Sequence, residues 1–178
     1  DDQLHVLRTL VQIRILDISH NHLRDNEVFN LLSCLPHLEV LVSRDNDFSQ
    51  IKFSSHMPAL RELFIDGNKL KRLHFDQRMD TLTKLHAKDC SLSMISALEN
   101  VPQLSELYID NNQLVTLNEE INKLKILLIL SASNNKLKSV ANIDLPLLET
   151  VNVSYNNLES LDFIRDCSEL KSLNAQYN

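Results

Sequence analysis

Leu104-Ser-Glu-Leu-Tyr-Ile-Asp-Asn-Asn-Gln-Leu114 is the stretch that decides the fold of this chain. Its apolar residues fall at the first, fourth, sixth and eleventh places, with Asn112 at the ninth. The same phrase stands in seven other places. The units are Ile13–Leu23, Leu38–Phe48, Leu60–Leu70, Leu82–Leu92, Leu104–Leu114, Leu127–Leu137, Leu148–Leu158 and Leu170–Asn178. The ninth place holds Asn21, Asn46, Asn68, Cys90, Asn112, Asn135, Asn156 and Asn178, at steps of 25, 22, 22, 22, 23, 21 and 22 residues. Self-similarity at a fixed period near 22 means a stack of identical structural units, each too small to bury its own apolar face.

Each column of the alignment makes a physical statement. The alternation around the second Leu marks a short strand, because side chains two apart share a face. The third apolar place reads Ile18, Ser43, Ile65, Ala87, Ile109, Ala132, Val153, Ala175. Large and small residues alternate, which lets side chains stacked at strand spacing interdigitate as core. An Asn amide at the turn leaving the strand can satisfy backbone groups of its own unit and of its neighbour. Cys90 offers only a weak donor there, so its rung is expected to be weaker. All four prolines, Pro36, Pro58, Pro102 and Pro146, lie two residues before the first Leu of a unit, where a strand tolerates a missing N–H.

The returning halves are short. Leu70/Leu73 and Leu114/Leu117 suggest 3₁₀ turns or extended segments. The first return is longer, with Asp25 as a candidate N-cap and Val28, Phe29, Leu31 and Leu32 as the apolar face of a helix. A second short helix is expected from Asn118. Leu4, Leu7, Leu10 and Ile13 read as a return already in progress, and the chain stops on an anchor Asn. Residues 1–178 are therefore read as one repeat domain cut from a longer protein.

Composition narrows the function. Net charge is −6 with dispersed Lys and Arg, which argues against nucleic acid. No apolar run reaches membrane-spanning length. One glycine, Gly67, leaves no glycine-rich phosphate loop, and no nucleophile elbow or zinc signature is present. His20 and His22 flank Asn21 without a matching Cys or carboxylate cluster, so no metal and no cofactor is expected. Three cysteines and no disulfide-cap pattern favour a reducing compartment.

The pattern resembles the leucine-rich repeat family over essentially the whole chain, on eight near-copies of one motif. The step of 22 is similar to that of the short intracellular subclass, typified by the leucine-rich phosphatase-1 regulatory subunit, the leucine-rich dynein light chain and leucine-rich spindle-pole or centrosomal scaffolds. The resemblance implies an α/β leucine-rich-repeat solenoid. About eight short parallel strands would line its concave side, with 3₁₀, short helical or extended returns on its convex side. It also implies protein binding on the concave side, no catalysis, and a cytoplasmic place, in the cytoskeletal or centrosomal setting of that subclass.

The outward columns then show what a partner would meet. Val40, Val42, Phe64 and Tyr108 are apolar groups on a face the fold leaves to solvent, with His86 between the two rings. Glu62, Lys84 and Glu106 neighbour one another in one column, and Arg44, Asp66, Lys88 and Asp110 in another, so opposite charges sit side by side. Acid outnumbers base on this face, which favours a basic peptide or helix as partner. All of these charges lie in the first five units. The last three are neutral, with Tyr155 and Tyr177 beside their anchors. The reading is a non-enzymatic intracellular interaction module of a scaffold or regulatory subunit, with no nucleic acid, membrane or small-molecule substrate. The alternatives are an extracellular receptor ectodomain and the recognition domain of a larger enzyme.

Overall fold

The computed structural model describes residues 6–24, 26–53, 56–140 and 143–178. Its elements in chain order are a 3₁₀ turn at Val6–Thr9, β1 (Ile15–Asp17), helix α1 (Asn26–Leu32), β2 (Val40–Val42), β3 (Glu62–Phe64), β4 (Arg72–His74), β5 (Lys84–His86) and β6 (Met94–Ser96). Beyond these come a 3₁₀ turn at Leu98–Asn100, β7 (Glu106–Tyr108), β8 (Thr116–Leu117), a 3₁₀ turn at Glu119–Lys123, β9 (Ile129–Ser131) and β10 (Ser139–Val140). The chain finishes with β11 (Thr150–Asn152), a 3₁₀ turn at Asp162–Ile164 and β12 (Ser172–Asn174).

One strand per repeat builds a parallel sheet of eight, ordered β1-β2-β3-β5-β7-β9-β11-β12. Each strand is three residues long and is centred on the second Leu, with one outward residue on either side. The third apolar place falls just past the strand end. Register is continuous: Val42 pairs with Phe64, Phe64 with His86, His86 with Tyr108, and Tyr108 with Ser131. The columns of the sequence are thus columns of the sheet. The returns run along the opposite face, where two pairs of short parallel strands form, β4 with β6 and β8 with β10.

The core fills the space between sheet and returns. Leu38, Leu60, Leu82, Leu104, Leu127 and Leu148 at the first apolar place are fully buried, as are Ala87, Ile109 and Ala132 at the third. Helix α1 places Val28, Phe29, Leu31 and Leu32 inward, and Phe29 meets Phe48 at 4.8 Å and Phe53 at 5.1 Å between ring centroids. Asp25, the candidate N-cap of this helix, and Leu4 lie outside the described residues. At the second short helix the Asn118 side chain does cap, accepting from the Glu120 N–H.

The anchor Asn residues form a hydrogen-bonded ladder. Asn112 donates through Nδ2 to the carbonyls of Ala87 (2.9 Å), Ile109 (2.9 Å) and Asp110 (3.1 Å). Its Oδ1 accepts from the N–H groups of Cys90 (3.0 Å) and Leu92 (2.9 Å). Asn46, Asn135 and Asn156 repeat the donor set on their own units. Each amide therefore ties the turn of one unit to the turn before it, in a place water does not reach.

Cys90 is the weak rung. Its Sγ lies 3.2 Å from the Ile65 carbonyl and 3.1 Å from that of Lys88, but a thiol has one proton to give. It has no amide oxygen to offer Leu70, the residue equivalent to Leu92. Burial pushes the thiol up to about 12, so it stays neutral and is no nucleophile. Cys90→Asn restores the missing bonds and is expected to raise stability by about 1 kcal/mol. A urea titration checks this; a midpoint below that of the wild type would mean the site cannot seat the amide.

Candidate functional site

The outward residues of the sheet are placed by strand geometry: the second Leu of each unit points into the core, so the residues flanking it must point out. Eight of the candidates occur as such flanking pairs, and they lie on β2, β3, β5 and β7. Phe64, His86 and Tyr108 form one continuous stack across three strands. Ring centroids are 4.8 Å apart from Phe64 to His86 and 4.2 Å from His86 to Tyr108. The Arg44 guanidinium lies over the Phe64 ring at 4.9 Å, and the Lys88 ammonium over the Tyr108 ring at 4.9 Å. Both ends of the stack are thus covered by cations, which favour the electron-rich ring faces.

Charges beside the stack are paired along the sheet. Arg44 meets Asp66 at 3.0 Å, Lys84 meets Glu106 at 2.9 Å, and Lys88 meets Asp110 at 3.0 Å. The Tyr108 hydroxyl donates to Glu106 Oε2 at 3.1 Å. The Glu106 hydrogen bond holds the Lys84 ammonium above its ordinary value. Burial lowers the pKa of His86, against the pull of Asp66 at 4.0 Å, so the imidazole favours its neutral form. His86 Nε2 is buried without a hydrogen-bond partner among the described residues. Asp17, Glu62 and Asp89 make no ion pair among the described residues, so this face keeps an acidic surplus.

Asp110 departs from its reading as a surface contact. It is 5 % exposed and accepts from Ser131 Oγ, from Ser133 N at 2.9 Å and from Ser133 Oγ at 2.8 Å, besides pairing with Lys88. Burial opposes its ionisation, and the bonds from Ser131, Lys88 and Ser133 outweigh that and hold its carboxyl below the ordinary value. Three units converge on this one carboxylate, which makes it a tie beneath the face. Ser131 and Ser154 are buried as well.

The column before each anchor has a backbone reason that the side chains conceal. His20, Asp45, Gly67, Asp89, Asn111, Asn134, Tyr155 and Tyr177 all have positive φ, from 49° to 68°. This left-handed turn favours Gly, Asn and Asp, and those types fill five of the eight places. A Cβ on Gly67 would also run into the Asp45 carboxylate. His20 rests against Asp45 at 3.4 Å.

Tyr155 and Tyr177 occupy the strained turn for no backbone reason. Their rings stack at 4.4 Å with 19° between planes, and they remain 55 % and 68 % exposed. Tyr155→Asn tests whether the stack is structural. Relief of left-handed strain, about 1 kcal/mol, offsets a ring contact of similar size. The thermal midpoint is expected to hold or rise slightly. A loss above about 2 kcal/mol would show that the stack supports the fold.

The structure brings Val40, Val42, Arg44, Glu62, Phe64, Asp66, Lys84, His86, Lys88, Glu106 and Tyr108 onto one continuous surface, and sets Tyr155 and Tyr177 apart on the turn rim of the last units. No group of three or more His, Cys, Asp or Glu among the described residues could hold a metal ion, and no described helix is long and apolar enough to cross a membrane.

No family model matches the chain. It is 32 % identical over 90 residues to bovine tubulin-specific chaperone E, a match covering 46 % of this chain and 17 % of that protein. The mouse tubulin-specific chaperone E is 32 % identical over 93 residues, 48 % of this chain and 18 % of that protein. The matched stretch therefore spans under a fifth of the chaperones' length. Among solved structures, a leucine-rich repeat protein of Leptospira interrogans superposes with a TM-score of 0.83 at 24 % identity, covering 98 % of this chain and 45 % of that one. Internalin C2 of Listeria monocytogenes gives 0.77 at 21 % identity over 93 % of this chain and 72 % of its own. YopM of Yersinia enterocolitica gives 0.71 at 26 % identity, over 93 % and 33 %. The fold is that of a leucine-rich-repeat solenoid.

Proposed function

We propose that the chain is a non-catalytic protein-interaction module that binds its partner on the concave sheet face. The observation that carries this reading is the Phe64–His86–Tyr108 stack, set in register across β3, β5 and β7 and half-buried on the sheet face. Aromatic groups in a preformed, paired-charge frame lose little conformational freedom on binding, and they anchor interfaces more often than flexible polar groups do. The paired charges already neutralise one another, so their part is to fix register. Glu62 and Asp89 favour a partner segment that carries Lys or Arg, and the association rate then falls as salt rises.

Likeness to tubulin-specific chaperone E supports a cytoskeletal partner, tubulin among them, and a cytoplasmic setting. In that setting the module serves as the recognition part of a scaffold, regulatory subunit or chaperone.

The test is capture on the immobilised chain, from cell lysate and from purified tubulin dimers, with wild type and a Phe64→Ala/Tyr108→Ala variant of verified fold. Losing this pair should weaken the specific partner by about 2 kcal/mol, roughly 30-fold. An identical set of captured proteins at equal strength would place the site elsewhere.

A further inference from the structure

The face opposite the sheet holds a feature of different chemistry. Between the return that follows β2 and strand β4 lies a cleft of about 440 Å³, with Lys52 on one wall and Lys71, Arg72 and His74 on the other. Among the described residues ten Lys and Arg side chains are held in ion pairs, as Arg14 is with Glu39, Arg24 and Lys69 with Asp47, Arg44 with Asp66, Arg78 with Asp80, Lys125 with Asp144 and Lys171 with Glu149. Lys52, Lys71 and Arg72 are exposed and make no ion pair among the described residues. The one carboxylate of the cleft, Asp76, faces His74 Nε2 at 3.1 Å, while His74 Nδ1 meets Ser96 Oγ at 2.9 Å. Three unpaired cations on a chain of net charge −6 thus converge on one depression.

Geometry alone does not call for them. The fold makes a similar cleft of about 260 Å³ at the far end of the stack, and there Lys138 faces Glu159 and Asp162. The places of Lys71 and Arg72, three and four residues past the anchor, hold Arg24 and Asp25, Ser49 and Gln50, Ser93 and Met94, Val115 and Thr116, Lys138 and Ser139, and Glu159 and Ser160 in the other units, so this pair alone is doubly basic. The basic cleft is therefore a local departure from the repeat. Its cations come from two successive returns, so the matching ligand carries at least two negative groups spaced along a chain. Arg72 can take a carboxylate through two parallel N–H bonds, and the lysines act as point charges.

We propose that this cleft docks an acidic, extended peptide segment of a partner protein, with Asp or Glu carboxylates between Lys52 on one side and Lys71 and Arg72 on the other. The surface is separate from the aromatic stack and does not depend on the reading of the sheet face. A chain using both would hold one partner by its aromatic face and another, or another part of the same one, by its back.

Fluorescence anisotropy of a fluorescein-labelled hexaglutamate peptide tests this on the full chain. Wild type should bind the probe with an affinity that falls as salt rises. Lys71→Glu/Arg72→Glu should weaken it by about tenfold or more, with an unchanged thermal midpoint because both side chains are exposed. Lys138→Glu, in the other cleft, and Phe64→Ala/Tyr108→Ala should both bind as wild type does. Equal binding by wild type and the Lys71/Arg72 variant would overturn the proposal, and so would no binding by wild type. Full displacement of the probe by inorganic phosphate at matched ionic strength would assign the cleft to small oxyanions and overturn the peptide.

Discussion

Asn112→Ala is expected to destabilise the protein by about 4 kcal/mol. The argument is one of orphaned groups. With the amide gone, the Cys90 and Leu92 N–H groups lose their acceptor, and the Ala87, Ile109 and Asp110 carbonyls lose a donor. Asn112 is 2 % exposed, so no solvent replaces it. Each buried unsatisfied group costs about 1–3 kcal/mol, and two N–H groups alone reach about 4. The lesion sits next to the Cys90 rung, already short of bonds. Repeat stability is a sum of unit and neighbour terms, so two weak rungs in a row should uncouple the halves of the stack. Urea unfolding is then expected to show a lower midpoint and a shallower or split transition. Asn111→Gly is the control. Asn111 has φ of 57° and is exposed, so Gly should be tolerated within about 0.5 kcal/mol. Equal stability of the Asn112 variant and wild type would remove the ladder from the account of the fold.

Asp110→Ala should cost about 3 kcal/mol, through the loss of several hydrogen bonds to a charged acceptor. Ser131, Ser133 and Lys88 all lose their shared partner, and the Ser133 N–H loses its acceptor. The effect depends on pH with a definite sign. The folded carboxyl lies below the ordinary value of 3.8, so the native state holds fewer protons than the unfolded chain near that pH. The stabilisation is complete above pH 3.8 and is lost as the pH falls through the lower folded value. The gap between wild type and variant should therefore stay constant from neutral pH down to that region and narrow below it. A gap that stays constant through that acid range would mean that the carboxylate charge is not what holds the three units together.

The architecture was legible because it is written eight times. Any one strand of three residues is too short to identify, but Leu41, Leu63, Leu85 and Leu107 repeat one alternation at one period, and the pairing register follows from it. For the same reason the alternation Glu62, Lys84, Glu106 is legible in the sequence as a row of neighbours, although only Lys84 and Glu106 make the short contact. The left-handed turn was not legible as such. Asp45, Asp89, Asn111 and Asn134 look like ordinary polar surface, and side-chain type does not report φ. The one trace is that no β-branched residue stands in that column. Nor could the burial of Asp110 be read from its own column. It depends on the small Ser131 and Ser133 on the next unit, which leave the carboxylate room to sink and give it donors. The basic cleft is harder still, because Lys52 and Lys71 are separated by a whole repeat and meet only across the gap between two returns.

Hydroxyl-radical footprinting, on the chain alone and saturated with its captured partner, tests the central claim most directly. Phe64, Tyr108 and Met94 are all oxidisable and sit on opposite faces, the rings on the sheet and Met94 on the returns, 47 % exposed. The partner is expected to suppress oxidation of Phe64 and Tyr108 and to leave Met94 unchanged. Protection of Met94 with unchanged Phe64 and Tyr108 would show that the partner binds the opposite face, and the concave site would be wrong.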